Sequence, residues 1–291
     1  MAPTPTPTLD HIVILVPHEI LVNLPSWLTD SFTVLTGGRH ADGVTENKLI
    51  LFQDGVYLEL IAFVPGKEDG RKSHRWGYRR EGHIVDWADT LHHEDDLETV
   101  RSRIGAAKTG ITYTIPTAGG RIKPDGTELK WVISSPSFND RRDFVGGEAP
   151  FWCLDRTPRE LRVPYHVGGN AKHASGALGV RQVTISVGDE ALFQTLKRAY
   201  DALQGQEGSR IGNSSDANKF SWPLRTLEPV QGNASPAALV LVQSDPGSSP
   251  EVSGAVSVSL SLVSSTGNGT VAGHLGDENW KLEFELVGRE H

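Results

Sequence analysis

Leu9-Asp-His-Ile-Val-Ile-Leu-Val16 and Leu49-Ile-Leu-Phe-Gln-Asp-Gly-Val-Tyr-Leu-Glu-Leu-Ile-Ala-Phe63 are the stretches on which the fold turns. The first is a short β-branched run closed by Pro17, the pattern of a largely buried strand. The second is two apolar runs hinged at Asp54-Gly55, a strong hairpin signal. Between them, Ile20 to Leu28 predicts a short helix and Phe32-Thr-Val-Leu-Thr36 another strand. The order is β-α-β-β-β. Gly37-Gly38-Arg39-His40, running on to Thr45 and Asn47, reads as a glycine-dense connection that folds tightly beside a cavity.

The unit recurs. A second copy opens at His83-Ile-Val-Asp-Trp-Ala88 and continues into a helix that Asp95 would cap, with Leu97, Val100 and Ile104 on one face. Its strands fall at Arg121-Ile122, Glu128 to Ile133 and Pro150 to Leu154. A third copy starts at Gly179 to Val187, with a helix from Glu190 to Leu203. Its strands follow at Leu239 to Val242, Val256 to Leu262 and Trp280 to Val287. Gly205 to Asn218 and Ser244 to Gly254 are Gly/Ser-rich and read as mobile loops. A repeat of this kind weighs more for the fold than any single motif. The fold class predicted is α+β: repeated βαβββ modules forming curled mixed sheets around a cleft.

Composition narrows the function. With 291 residues the chain can bury a sizeable core. Its net charge of −8 and scattered basic residues argue against nucleic acid as a partner. No apolar run reaches the roughly 20 residues that span a bilayer, so no membrane association is expected. The single cysteine, Cys153, excludes an internal disulfide framework and any multi-cysteine zinc site. The Pro/Thr-rich start, residues 1–8, lacks the basic and apolar regions of a secretory signal and reads as a disordered tail. A cytoplasmic location is the expectation. No phosphate-loop or dinucleotide fingerprint is present, so no nucleotide cofactor is expected.

His11 sits in the middle of the first strand and Glu59 in the middle of the hairpin's second strand. A buried imidazole and a buried carboxylate are costly without a partner. Two answers are open: a divalent cation held by both with open positions, or a direct core hydrogen bond. His40 and Asn47 would present polar atoms to a ligand beside the glycine-dense segment. Trp76, Trp87, Trp131 and Trp152 read as core or cavity wall, with Trp87 and Trp152 the candidates to stack on the ligand, and His173 to close the pocket from a loop. Cys153 lies in an apolar strand, where a thiol is usually inert.

Leu9-Asp-His-Ile-Val, Gly-Gly-Arg-His with Thr45-Glu-Asn47, and Gly55-Val-Tyr-Leu-Glu-Leu-Ile61 together resemble the glyoxalase-like domain proteins of the vicinal oxygen chelate superfamily. Asp86-Trp-Ala88, the run from Gly119 to Trp131, Pro150-Phe-Trp152 and His173-Ala-Ser-Gly fit the same pattern. The resemblance covers about residues 8 to 190. It implies a glyoxalase-like domain over 9–177, built of modules 9–66 and 80–156, with a third βαβββ-like module in 178–291. In metal-dependent members the first-strand His and last-strand Glu are ligands, here His11 and Glu59, and the metal polarises vicinal oxygens of the substrate. The partner module should supply two more ligands, yet its strands offer Asp86, Trp87, Trp152 and Cys153. Gln182 in the third unit, with Glu283, is the alternative source.

The resulting expectation is an enzyme acting on a small oxygenated metabolite by lyase, isomerase or hydrolase chemistry. His11 and Glu59 are the expected catalytic pair, assisted by a divalent metal (Zn, Mn, Fe, Ni or Mg) on His11, Glu59 and Gln182. His40, Asn47, Trp87, Trp152 and His173 are the expected substrate contacts. The rival is a metal-free small-molecule binding or sequestering protein using the same cleft. Exposed sheet edges predict a homodimer.

Overall fold

The computed structural model describes residues 5–123, 125–138, 146–212, 218–244 and 256–290. Residues 213–217 and 245–254, within the segments read as mobile loops, lie outside these, as do residues 1–4 of the tail. Pro5 is held against the body, its carbonyl accepting from Arg103 at 3.2 Å.

The first module runs β1 (Thr8–Leu15), α1 (His18–Val22), α2 (Ser26–Thr29), β2 (Leu35–Arg39), β3 (Thr45–Leu51) and β4 (Tyr57–Phe63). The helix expected over Ile20 to Leu28 is two short pieces, because Pro25 cannot continue a helix and biases Leu24 away from helical backbone. Of the glycine-dense segment, residues 40–44 form the connection between β2 and β3. Gly37 and Gly38 lie inside β2, where Gly38 at φ +130° accompanies a register shift against β3.

A linking helix α3 (Glu68–Ser73) leads to the second module: β5 (His83–Thr90), α4 (Asp96–Ala106), β6 (Ile111–Tyr113), β7 (Thr117–Ile122), β8 (Glu128–Ser134), β9 (Pro136–Phe138) and β10 (Phe151–Asp155). The Asp95 side chain makes no capping bond to α4. The two modules share one eight-stranded sheet, β2-β3-β4-β1-β5-β10-β8-β7, joined at its centre by antiparallel β1 and β5. The sheet curls until its two ends meet, with Ala41 N donating to Gly120 O at 3.0 Å.

After α5 (Arg159–Arg162) the pattern repeats with β11 (Ala177–Val187), α6 (Glu190–Gln204), β12 (Ser209–Arg210), β13 (Lys219–Leu224) and β14 (Ala237–Gln243). Asp189 caps α6 by accepting from Leu192 N at 2.7 Å, and Gly205 ends it in the left-handed conformation at φ +67°. β15 (Val256–Ser264), β16 (Gly269–Gly273) and β17 (Leu282–Gly288) complete a seven-stranded sheet, β12-β13-β14-β11-β15-β17-β16. The strands expected as one third module therefore divide. β14 closes the unit begun by β11, running parallel to it, whereas β15 and β17 form a second parallel pair in a shortened unit without a helix.

One core joins the two sheets. Ile12, Ile14, Trp87 and Trp152 of the first pack in the same apolar cluster as Val183, Ile185 and Phe284 of the second, with α4 and α6 between. Arg103 ties the helices together by donating to Leu203 O at 2.6 Å. No helix among the described residues is long and apolar enough to cross a membrane.

Candidate functional site

Strand alternation sends His11, Val13 and Leu15 of β1 to the concave face of the first sheet and Ile12 and Ile14 to the core behind it. The concave face encloses a cleft of about 370 Å³. β4 contributes Tyr57, Glu59 and Ile61 to it, β3 contributes Thr45, Asn47 and Leu49, and β7 and β8 contribute Arg121 and Trp131. His40, His74, Arg75, Trp76 and Phe151 complete its walls.

The polar groups form a connected chain. His11 Nδ1 lies 2.5 Å from Asp10 Oδ1, and its Nε2 lies 3.6 Å from Glu59 Oε2. The ring is clamped between Tyr57, stacked at 4.7 Å, and the edge of Phe151 at 5.3 Å. The other Glu59 oxygen accepts from Asn47 Nδ2 at 2.5 Å, and Asn47 Oδ1 accepts from Arg121 Nη1 at 2.9 Å. His40 Nε2 stands 3.8 Å from Glu59 Oε1, its Nδ1 fixed 2.7 Å from Thr45 Oγ1. Glu59 thus lies between two imidazoles, each anchored at its far nitrogen.

Charge is set by burial and by arginines. Burial alone would raise the Asp10 carboxyl, but Arg159, Arg162 and His11 outweigh it and hold the group well below the usual carboxylate range. Asp10 is a fixed anion behind His11, accepting from Arg162 Nη2 at 2.9 Å and also from Arg159. Burial pulls His40 down, and His74 down to about 4, so both rings are neutral near pH 7.

A glyoxalase-like domain family model matches residues 9–203. The chain belongs to that family. Its fold is also that of an uncharacterised protein from Staphylococcus aureus, at 11% identity and a TM-score of 0.66, covering 97% of this chain and all of that one. A fusion of a xylose isomerase-like TIM barrel with a 4-hydroxyphenylpyruvate dioxygenase matches at 12% identity and a TM-score of 0.51, over all of this chain and half of that one. At such identities the likeness is one of fold. The curated proteins provide no match.

This glyoxalase-like domain departs from the paired-ligand scheme of the metal-dependent members. His11 pairs with Ala88 and Val13 with Asp86 across β1 and β5, so Asp86 is the counterpart of His11. Val13 aligns with Glu59 and Ala88 with Phe151, which makes Phe151 the counterpart of Glu59. Phe151 has no donor. Asp86 is consumed by Trp76 Nε1 at 2.8 Å, Arg75 at 2.6 Å and the backbone N–H of Gly147 at 3.1 Å. Gln182 does not join His11 and Glu59 either. It lies on the second sheet, in a separate groove with Ser261, Glu283 and Glu285, and donates to Thr184 Oγ1 at 2.6 Å.

The cleft-facing donors nearest one another are His11, Glu59 and His40, with Asp42 and His74 elsewhere on the wall. Glu59 already takes the Asn47 amide, and the Arg121 cation stands next to it. Among the described residues the one three-donor cluster is Asp10, His11 and Cys153. Its carboxylate is clamped by two guanidiniums, and burial keeps its thiol protonated. His11, Glu59 and His40 do not close into a second three-donor cluster, so no ligand set that fits a divalent cation is assembled among the described residues.

Of the other expected contacts, His40 and Asn47 are in the cleft, whereas Trp87, Trp152 and His173 are not. Both tryptophans sit one residue out of phase with the concave face. Trp87 packs edge-on to Tyr200 at 6.3 Å and Trp152 against Tyr113 at 5.9 Å, inside the shared core. His173 is a structural brace, its Nδ1 accepting from Thr33 N at 3.1 Å and its Nε2 donating to Leu51 O at 2.8 Å. Arg121, Tyr57 and His74 are cleft residues that sequence reasoning missed, whereas Trp76 and Trp131 are the two tryptophans that form its wall. Arg121 and Trp131 fall within a stretch already prominent in the family pattern, but only the curling of the sheet carries β7 over to β3.

Proposed function

We propose that this chain is an enzyme of proton transfer on a small oxygenated metabolite, of lyase or isomerase type. Glu59 is the proton acceptor and His11 its acid–base partner. The observation that carries this reading is the Glu59 carboxylate standing within 4 Å of the Nε2 atoms of both His11 and His40, inside an open cleft. The cleft volume suits a metabolite-sized ligand. Glu59 takes a proton from a carbon beside a carbonyl. The neutral His40 ring and the Arg121 guanidinium lie where negative charge on the substrate oxygen needs donors. His11, with Asp10 behind Nδ1, presents Nε2 to return or relay the proton. No step in this scheme requires a metal.

The aromatic walls, Tyr57, Trp76, Trp131 and Phe151, also support the rival reading of a binding or sequestering protein. One assay separates the two. A panel of hydroxy acids, keto acids and dicarbonyls is incubated with the protein in D₂O and followed by proton NMR. Catalysed exchange at a carbon-bound position, abolished by Glu59→Gln and His11→Asn in folded protein, is the expected result. Binding of panel members without any exchange would move the assignment to a binding protein.

A further inference from the structure

Arg121 differs from every other guanidinium in the cleft. Arg75 is neutralised by Asp86 at 2.6 Å, and Arg162 by Asp10 at 2.9 Å and Asp155 at 2.6 Å. Arg121 is only 6% exposed, and no carboxylate of the described residues ion-pairs with it. Its single hydrogen bond runs from Nη1 to Asn47, and its buried Nε donates to nothing. The approach is built for. A Cβ at Gly37 would overlap Asn47 Oδ1 and come 2.8 Å from Arg121 Nη1, so the glycine leaves room for this side chain to cross between modules.

A buried cation with no carboxylate in contact is costly even with Glu59 one amide away, and an anion placed against it offsets part of that cost. We propose that Arg121 is the oxyanion-binding residue of this cleft and that its ligand is a small metabolite bearing a carboxylate. The assignment deepens the proton-transfer reading and rests on it for the term substrate. A planar guanidinium whose one hydrogen bond within the protein leaves from Nη1 keeps further N–H groups for the two coplanar oxygens of a carboxylate. Phosphate shares the oxyanion chemistry, but a dianion set one Asn47 side chain from the Glu59 carboxylate meets more repulsion than a monoanion does. The aromatic walls formed by Tyr57, Trp131 and Phe151 suit the carbon skeleton. A carboxylate on Arg121 brings its neighbouring carbon toward the Glu59 side of the cleft, because Asn47 bridges the two residues.

The test titrates the full chain with pyruvate, oxalate, inorganic phosphate and the neutral pyruvamide, followed by tryptophan fluorescence and calorimetry. Pyruvate or oxalate is expected to bind, with pyruvamide at least about tenfold weaker. Arg121→Gln should weaken carboxylate binding by about 10–100-fold, the loss of one charge-assisted contact. Arg121→Lys should recover part of it, as a point charge without the fork. If Arg121→Gln fails to fold by circular dichroism, Arg121→Lys alone decides, by a loss of at least about threefold. Absence of carboxylate binding to the wild type, or binding that both variants leave unchanged, overturns the proposal. Phosphate binding tighter than either carboxylate overturns the choice of a carboxylate. Arg121-dependent binding without deuterium exchange keeps the anion site and removes the enzyme. Exchange with Arg121-independent binding does the reverse.

Discussion

Asn47 on β3 donates to the Glu59 carboxylate on the adjacent β4 at 2.5 Å, and its carbonyl oxygen receives Arg121 from the far end of the sheet. One amide thus separates a buried anion from a buried cation and satisfies a polar atom of each. A carboxylate and a guanidinium thereby share one cleft without pairing directly with each other.

Removing that spacer should be felt at both ends. Asn47→Ala leaves Glu59 and Arg121 each short of a partner and is expected to cost about 1–3 kcal/mol in urea unfolding. In a double-mutant cycle with Arg121→Gln the two costs should fail to add by at least about 0.5 kcal/mol, because they share one contact. Strict additivity would show that the bridge carries no energy.

Two glycines should respond in opposite directions. Gly37→Ala drives a methyl group into the Asn47–Arg121 contact and is expected to destabilise by about 1–3 kcal/mol while weakening oxyanion binding. Gly105 lies in α4, and a methyl group added there would meet no atom within 4 Å. Gly105→Ala should therefore raise stability by about 0.5–1 kcal/mol through helix propensity. Thermal melts of the two variants beside the wild type check both signs.

Asp54 couples the two sheets and makes their union sensitive to pH. At the β3–β4 turn it accepts from Val56 N at 3.0 Å and from Val180 N of β11 at 2.7 Å. Burial pushes its carboxyl up to about 7 against these hydrogen bonds. The folded state thus holds this proton more tightly than the unfolded chain, whose carboxyl titrates near 4. The contribution of Asp54 to stability is greatest below about pH 4 and falls until about pH 7. The stability difference between wild type and Asp54→Asn should shrink over that window and then level off. A difference that grows with pH would contradict this.

Asp10 behaves in the opposite sense. Its carboxyl is depressed in the fold, so its contribution is complete above about pH 4 and is lost as acid protonates it. Asp10→Asn leaves Arg159 and Arg162 to share Asp155 as their one carboxylate and loosens His11 Nδ1, and should cost about 3–5 kcal/mol at neutral pH. Relative to the wild type, that deficit should narrow on acidification. Guanidinium unfolding from neutral pH into the acid range measures it.

His11 and Glu59 were legible because both lie in short apolar strands where a charged side chain has to be accounted for. The family pattern then placed them on the same module. His40 and Asn47 were legible through their position beside Gly37 and Gly38, although those glycines bulge a strand instead of making a loop. Trp87 and Trp152 were misplaced by parity. In a strand buried on both faces, aromatic identity does not say which face a side chain takes, and the register shifts in β1 and β5 make counting from either end unreliable.

The primary structure by itself determined the two βαβββ units of the first sheet, the opening strand and helix of the third, and the acidic–imidazole pair on β1 and β4. Each follows from local apolar period and turn chemistry within a few tens of residues. Tertiary structure alone decided that the first sheet curls until β7 meets β2, and that Arg121 from one module reaches Asn47 in the other. It also decided that Gln182 belongs to a separate groove on the second sheet. Contacts between residues far apart in the chain depend on the accumulated twist and coiling of a whole sheet, a property that no window of sequence carries.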